Sequence, residues 1–136
     1  MTAGRVLALD PGTKRIGVAV SDAMRIVATP LAVIPAAEFA TRLPELLDEY
    51  RPTAIVVGLP VGLSGREGPS AERARAFAAE VAAISGMDVD VVDERFTTAT
   101  AESAMIEGGV KRRRRRESVD KVAAAVILRQ YLDRSG

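Results

Sequence analysis

The stretch that decides the fold reads Arg5-Val-Leu-Ala-Leu-Asp-Pro-Gly-Thr-Lys-Arg-Ile-Gly-Val-Ala-Val-Ser21. Residues 5–9 form a short apolar run, which is typical of a strand buried on both faces. The turn signal Asp10-Pro-Gly follows, and residues 15–21 are strand-like again. Parallel neighbours need a crossover of about a dozen residues or more, so this short connection predicts an antiparallel pair.

The rest of the chain extends this hairpin into an α/β domain. A turn over residues 22–25 leads to a third strand from Ile26 to Ile34, which Pro30 interrupts. The further predicted elements are a helix over 39–50 that Pro44 should kink or restart, a strand over 53–58, a helix over 70–85 capped by Ser70, a strand over 88–93, a short helix from Thr97 or Thr98 to Gly108, and a last helix over 118–133. We expect a single domain over residues 1–136, with a mixed five-stranded sheet of three antiparallel and then two parallel strands, and helices on both faces.

The composition excludes several kinds of site. The 136 residues include no Cys and no His, which removes disulfides, thiolate and imidazole metal sites, and the Ser-His-Asp triad. The 18 Asp and Glu side chains supply the oxygen ligands that hard cations prefer. No apolar run approaches the ~20 residues that span a bilayer, and the first residues do not resemble a signal peptide. We therefore expect a cytoplasmic protein that does not contact a membrane.

The charges are unevenly distributed along the chain. Residues 1–110 carry ten basic and fifteen acidic side chains, whereas residues 111–136 carry nine basic and three acidic ones. Six consecutive cations, Lys111 and Arg112–Arg116, account for most of this basic end. Such a run predicts phosphate contacts with nucleic acid and, because like charges repel, a segment that is mobile without that partner; the alternative is a solvated run with no partner.

Two strands of the predicted sheet end in carboxylates. Asp10 ends the first strand, and Asp93 and Glu94 end the fifth. Open α/β sheets place their sites at the carboxyl ends of strands. Strand parity alone does not say whether Asp93 or Glu94 points to such a site. Each carboxylate also has a purely structural interpretation, as a turn-capping or solvated side chain. Lys14 and Arg15, which follow Asp10, are placed either to hold a phosphate or only to flank the strand.

A third carboxylate lies on the apolar stripe of the last helix. Asp120 precedes Ala123, Ala124 and Ile127 by three, four and seven residues, so all four positions share one side of a helix. The alternative is that Asp120 interacts with the dipole of a helix that begins at Ser118. Three clustered carboxylates would repel one another, and such repulsion is relieved either by raised pKa values or by bound cations. Their oxygens suit Mg²⁺ or Mn²⁺, and a pair of such ions would catalyse phosphodiester hydrolysis.

Four segments of the chain resemble the motifs of one family. They are Asp10-Pro-Gly-Thr-Lys-Arg-Ile-Gly-Val-Ala-Val-Ser-Asp22, Gly58-Leu-Pro with Gly65 and Glu67-Gly-Pro69, Asp93-Glu-Arg-Phe-Thr-Thr98, and Asp120 with Ala123-Ala124, Ile127-Leu128 and Tyr131-Leu132. In this order they are similar to the motifs of the YqgF-type, or RuvX-like, family of pre-16S rRNA nucleases and Holliday junction resolvases. The second motif departs from the family pattern, because residues 61–64 read Val-Gly-Leu-Ser and lack its Asn and Asp.

The resemblance implies an RNase H-like fold and a metal-dependent nuclease whose catalytic and metal-binding residues are Asp10, Glu94 and Asp120. The implied cofactor is Mg²⁺ or Mn²⁺, as two ions. The residues that we expect to contact nucleic acid are Lys14, Arg15, Arg95, Lys111, Arg112, Arg113, Arg114, Arg115 and Arg116. The implied substrate is a structured RNA precursor at the 5′ end of 16S rRNA or, alternatively, branched DNA such as a four-way junction, or single-stranded DNA. A junction resolvase would act as a homodimer in order to make paired cuts.

Two other functions compete with the nuclease. Asp10-Pro-Gly-Thr13 is similar to the phosphate loop of actin-like and sugar-kinase-like phosphotransferases, but 136 residues are too few for their two lobes. A non-catalytic nucleic-acid-binding or ribosome-assembly module would have no need of Asp120 on an apolar stripe. We therefore favour the nuclease over both.

Overall fold

The computed structural model describes residues 4–12, 14–59, 68–93 and 112–135. These ranges hold five β-strands, three α-helices and one short 3-10 helix. In chain order the elements are β1 (Val6–Pro11), β2 (Arg15–Ser21), β3 (Ala28–Pro35), the 3-10 helix Ala36–Glu38, α1 (Phe39–Tyr50), β4 (Ala54–Leu59), α2 (Pro69–Ser85), β5 (Val89–Asp93) and α3 (Arg112–Ser135).

The five strands form one mixed sheet in the order β3-β2-β1-β4-β5. β1 pairs antiparallel with β2, and β2 pairs antiparallel with β3. On its other side β1 pairs parallel with β4, and β4 pairs parallel with β5. The predicted sheet of three antiparallel and then two parallel strands is therefore confirmed, with the opening hairpin at its centre.

Alternate residues of the sheet pack into two separate cores. Leu7 and Leu9 of β1 belong to a core formed with α1 and α2, on what we call the α1/α2 face. Val6 and Ala8 belong to a second core formed with Ala124, Ile127, Leu128 and Leu132 of α3, on the α3 face. Because helices cover both faces, β1 is a continuous apolar run, as the sequence predicts.

β3 begins two residues later than predicted. The Asp22 carboxylate accepts hydrogen bonds from the backbone N–H groups of Ile26 and Val27, at 2.8 and 2.9 Å, and these bonds hold both residues in the turn before the strand. Pro30 lies inside β3, where the register against β2 shifts between Val18 and Ala19. An edge strand and a register shift are the places where a sheet tolerates proline.

The first two helices differ from prediction at their N-terminal halves. α1 runs through Pro44 without restarting; the burial of Leu43 and Leu46 on either side of that proline gives the packing that stabilises the helix. α2 begins at Pro69 after an N-cap at Gly68, so the predicted Ser70 cap is wrong. Proline is favoured at the first position of a helix because it has no N–H to satisfy there.

α3 begins at Arg112, six residues before the predicted start at Ser118. Arginine has a high helix propensity, and the five consecutive arginines continue a helix that is anchored by its buried C-terminal half. Arg112–Arg116 are therefore part of α3 and do not precede it, and Asp120 does not lie in the first turn of the helix. Thr97, Thr98 and Gly108, which bound the predicted short helix, lie outside the described residues. Within the described ranges no helix, α3 included, is long and apolar enough to cross a membrane.

Candidate active site

Three parallel strands bring their carboxyl ends to one edge of the sheet. β1 ends at Asp10 and Pro11, β4 at Gly58 and Leu59, and β5 at Asp93. β2 begins at the same edge, because Pro11 pairs with Ile16. This is the edge at which open α/β sheets bind their ligands.

The opposite edge of the sheet is closed by hydrogen bonds. Gly4 donates its N–H to the carbonyl of Ala23 at 2.9 Å. Arg25 donates to the carbonyl of Gly4 at 2.9 Å and to the Thr53 hydroxyl at 3.2 Å. This network joins the beginnings of β1 and β4 to the end of β2. These hydrogen bonds hold the strand ends together and have a structural role. The carboxyl edge is therefore the candidate active site.

Asp10 is half-buried at this edge and lies on the α3 face. Its face follows from the alternation of β1, since Val6 and Ala8 both lie in the α3-face core. Asp10 pairs directly with Gly17 of β2. On the other side, Leu9 pairs with Val57, so the residue beside Asp10 in β4 is Gly58. The sequence analysis assigned no role to Gly17 and no chemical role to Gly58.

The connection between β1 and β2 carries two basic residues, Lys14 and Arg15. Gly12 donates its N–H to the Arg15 carbonyl at 2.9 Å. A Cβ atom at Gly12 would lie 2.7 Å from that same carbonyl oxygen, so the turn requires glycine. Lys14 is exposed, and its carbonyl accepts a hydrogen bond of 2.9 Å from the N–H of Ala36. The structure places Lys14 in the turn and Arg15 at the first residue of β2, and their contact with nucleic acid stays a prediction.

α3 crosses its face of the sheet with a defined direction. Arg129 donates to the Ile26 carbonyl at 2.7 Å, and the Tyr131 hydroxyl donates to the Asp90 carboxylate at 3.2 Å. Ile26 precedes β3 and Asp90 lies near the beginning of β5, so the C-terminal half of α3 lies over the closed edge. The backbone of α3 therefore runs back from there toward the carboxyl edge. Position 120 lies one turn before Ala123 and Ala124, which are both buried.

The other predicted site residues are only partly described. The backbones of Asp120 and of Arg112, Arg113, Arg114, Arg115 and Arg116 are in α3, whereas Glu94, Arg95 and Lys111 lie outside the described residues. Among the side chains that the structure does describe, no group of three acidic residues could hold a metal ion. The convergence of Asp10, Glu94 and Asp120 stays a prediction.

Outside the candidate site, two side chains have perturbed titration. The backbone N–H of Val27 is the main cause that lowers the pKa of Asp22 below its ordinary value of 3.8. Burial raises the pKa of the Tyr50 hydroxyl above its ordinary value of 10.0, and the Glu49 carboxylate raises it further. Both groups lie away from the carboxyl edge.

Comparison with known proteins identifies the family. The family model described as RuvX, Holliday junction resolvase, matches residues 4–134. The chain belongs to the RuvX family. A Lactococcus lactis relative (strain IL1403), named "Putative pre-16S rRNA nuclease", is 45% identical over 134 residues, which cover 95% of this chain and 94% of the relative. A Pelotomaculum thermopropionicum relative of the same name is 46% identical over 136 residues, which cover 97% and 88%.

The similar solved structures confirm the fold of this RuvX-family chain. Thermus thermophilus RuvC in complex with a Holliday junction substrate matches with a TM-score of 0.60 at 18% identity, over 98% of this chain and 96% of that one. A second structure of Thermus thermophilus RuvC matches with a TM-score of 0.56 at 19% identity, over 97% and 96%. The predicted RNase H-like fold is thus confirmed.

Proposed function

We propose that this RuvX-family protein is a divalent-metal-dependent nuclease that hydrolyses phosphodiester bonds in the precursor of 16S rRNA. The observation that carries the proposal is the position of Asp10, a carboxylate between two glycines at the carboxyl edge of a RuvC-like sheet. The names of the relatives support the RNA substrate. Ribosomal RNA as the substrate implies a cytoplasmic location.

Asp10, Glu94 and Asp120 are the proposed catalytic carboxylates. Val92 of β5 lies in the α3-face core, and Glu94 follows it by two residues in the sequence. β5 is two strands from β1, about 10 Å at the usual strand spacing. A pair of ions roughly 3.5–4 Å apart, each bound by carboxylate oxygens, fits between carboxylates at that separation.

The donors at this edge fit Mg²⁺ or Mn²⁺. The chain has no Cys or His, so its ligands are oxygens, which hard cations prefer. The neighbours of Asp10 in its row of the sheet, Gly17 and Gly58, have no side chain that would occupy the space beside the carboxylate. Asp10, Glu94 and Asp120 would hold the ions. When bound, such ions activate water as a nucleophile and stabilise the departing oxygen of a phosphodiester.

The cations of the chain bind and orient the nucleic acid in this proposal. Lys14 lies in the turn after β1 and Arg15 begins β2, and both would neutralise phosphates on either side of the cleaved bond. The arginines at the start of α3, Arg112–Arg116, together with Arg95 and Lys111, would contact phosphates further along the strand. Such contacts set affinity and register without reading the base sequence.

A homodimer is part of the proposal. The turn before β3 exposes three large apolar side chains, Met24 at 72%, Ile26 at 62% and Val27 at 55%. An open groove adjoins them, lined by Ile26, Val27, Ala28, Val122, Ala125, Val126 and Arg129. Exposed apolar patches of this kind are typical of protein interfaces. About a two-fold axis, the apolar turn of one copy would enter the groove of the other.

The deciding experiment is a cleavage assay in Mg²⁺ or Mn²⁺ with an RNA that carries the 5′ precursor of 16S rRNA. Asp10→Asn keeps the size of the side chain and removes its charge, so we expect cleavage to be abolished while the protein stays folded. Without metal its melting temperature should hold or rise, because repulsion between carboxylates is relieved. Asp22→Asn is the matched control, an acidic residue at the closed edge whose loss should leave cleavage intact. Cleavage by purified Asp10→Asn at the rate of the parent would refute the metal-ligand role.

A four-way DNA junction is the second candidate substrate. It is favoured by the description of the family model and by the Holliday junction bound to the similar RuvC structure. The same assay should therefore include a junction and a matched linear duplex. Paired cuts in the junction with the RNA left intact would replace the first proposal by the second.

A further inference from the structure

Four residues lie side by side in one row of the sheet on the α3 face. Asp10 pairs with Gly17 on β2, and Gly58 of β4 pairs with Val92 of β5. Since Leu9 pairs with Val57, Gly58 lies next to Asp10. The row therefore reads Gly17, Asp10, Gly58 and Val92. Asp10 is a single carboxylate with a strand glycine on each side.

Neither glycine is required by its backbone conformation. Gly4 and Gly86 are the glycines with positive φ among the described residues, whereas Gly17 and Gly58 lie within strands. Glycine is unfavourable inside a strand, where it has no side chain to pack and loses more backbone entropy than other residues. A strand glycine often marks a place where a ligand or another backbone comes close. Two strand glycines, one on each side of Asp10, therefore call for an explanation that involves its carboxylate.

The dimensions of the row give that reason. Directly opposed residues on one face of a sheet have Cβ atoms about 4.5–5.5 Å apart. A cation bound to Asp10 would lie about 2.0–2.1 Å from a carboxylate oxygen, with further oxygen ligands and waters around it. A methyl group at position 17 or 58 would therefore stand where those ligands or waters must be. Without a side chain at either position, there would be room beside the carboxylate for the hydrated ion.

We propose that Gly17 and Gly58 are positioning residues that reserve the space on both sides of the Asp10 carboxylate for a divalent cation and its oxygen ligands. The inference rests on the proposed nuclease function. Both glycines are buried, so the competing explanation is that the backbone of α3 packs directly on them. In that case a methyl group would clash with protein atoms and would act on stability instead of on metal affinity.

The test measures the binding of Mn²⁺ alone, by electron paramagnetic resonance of the free ion, for the parent, Gly58→Ala and Gly17→Ala. Melting temperatures are measured on the same samples. We expect both variants to remain folded and to bind Mn²⁺ at least about tenfold more weakly than the parent, because each methyl displaces a ligand position. Gly86→Ala is the matched control. Gly86 has a φ of 71° and ends α2 far from Asp10, so its variant should melt at a lower temperature but bind Mn²⁺ as the parent does.

Each outcome decides the inference. Parental Mn²⁺ affinity in a folded Gly17→Ala or Gly58→Ala variant overturns it for that glycine. Failure of a variant to fold also overturns it, because that result shows protein atoms where we infer space. Asp10→Asn, measured in parallel, separates this inference from the function. If Asp10→Asn loses Mn²⁺ and the glycine variants do not, only the role of the glycines is wrong; if Asp10→Asn binds as the parent does, the proposed metal site is wrong.

Discussion

Helical geometry places positions 113 and 115 on different sides of α3. Each residue of an α-helix turns by about 100°, at 3.6 residues per turn. The buried positions 123, 124, 127 and 128 define the side of α3 that meets the sheet. Position 113 lies within about 10° of the centre of that side, and position 115 lies about 150° from it. Arg113 thus shares the side of position 120, whereas Arg115 starts from the opposite side.

This division predicts unequal effects for two substitutions that remove the same charge. Arg113 precedes Asp120 by seven residues, about 10 Å along the helix axis. That distance corresponds to about three nucleotide steps along one strand of a duplex. Arg113→Ala should remove one phosphate contact at that distance from the cleaved bond and should lower the slope of log affinity against log salt by about 0.9 for a duplex or 0.7 for a single strand. When the salt concentration rises from about 50 to 200 mM, the affinity of Arg113→Ala for a duplex should therefore fall by a smaller factor than that of the parent. The two factors should differ about three- to fourfold.

The assay is fluorescence anisotropy of labelled nucleic acid across a salt series, with both substitutions made in the Asp10→Asn protein so that the ligand stays intact. Arg113→Ala should weaken binding to all base sequences alike, because phosphate contacts carry no base information. Arg115→Ala should lower the salt slope by less than Arg113→Ala does, although it changes the net charge equally. Equal slopes for the two variants would show that α3 acts only through its overall charge. A larger effect at Arg115 would contradict the placement of position 113 on the side of α3 that meets the sheet.

Two further predictions concern the turn before β3. The N–H of Val27 lowers the pKa of Asp22 below 3.8, so the ionised side chain stabilises the fold above that pH and the effect is lost as the pH falls through the lowered pKa. Urea unfolding between about pH 6 and pH 3 measures the difference in free energy of unfolding between the parent and Asp22→Asn. This difference should shrink as the pH falls, and a constant difference would contradict the linkage. For the dimer, Ile26→Ser keeps the backbone bonds and removes an exposed apolar side chain, so sedimentation equilibrium should show a weaker dimer than for the parent; a parent that is monomeric at all concentrations would contradict the proposed interface.

The fold was predictable because its signals are local. The hairpin of β1 and β2 follows from two apolar runs around a turn, and the turn is confirmed by the bond from the Gly12 N–H to the Arg15 carbonyl. Helical periodicity predicts α1 and α2 to within one residue at their C-terminal ends. The chirality and length of the crossovers then leave few sheet orders to choose from.

The prediction failed where two local signals competed. Ser118 is a good N-cap residue and Arg is a good helix former, and only the tertiary structure decides between them. The beginning of α3 at Arg112 changes the meaning of the basic run. Arginines in a flexible segment could all reach one ligand, whereas arginines on a helix point in different directions. The distinction between Arg113 and Arg115 therefore depends on a helix boundary that the sequence analysis missed.

The neighbours of Asp10 show a different limit. In the hairpin, the turn sets the register, so the pairing of Asp10 with Gly17 follows from the bond between Gly12 and Arg15. The approach of Gly58 is of another kind, because more than forty residues separate it from Asp10 and no turn relates the two strands. A shift of one residue between β1 and β4 would turn Gly58 to the other face and place a Val or Leu side chain beside the carboxylate. The space that we infer for the cation thus depends on the register between the parallel strands β1 and β4. That register is set by how the apolar residues of β4 fill two cores at once. The periodicity of a single strand does not encode it.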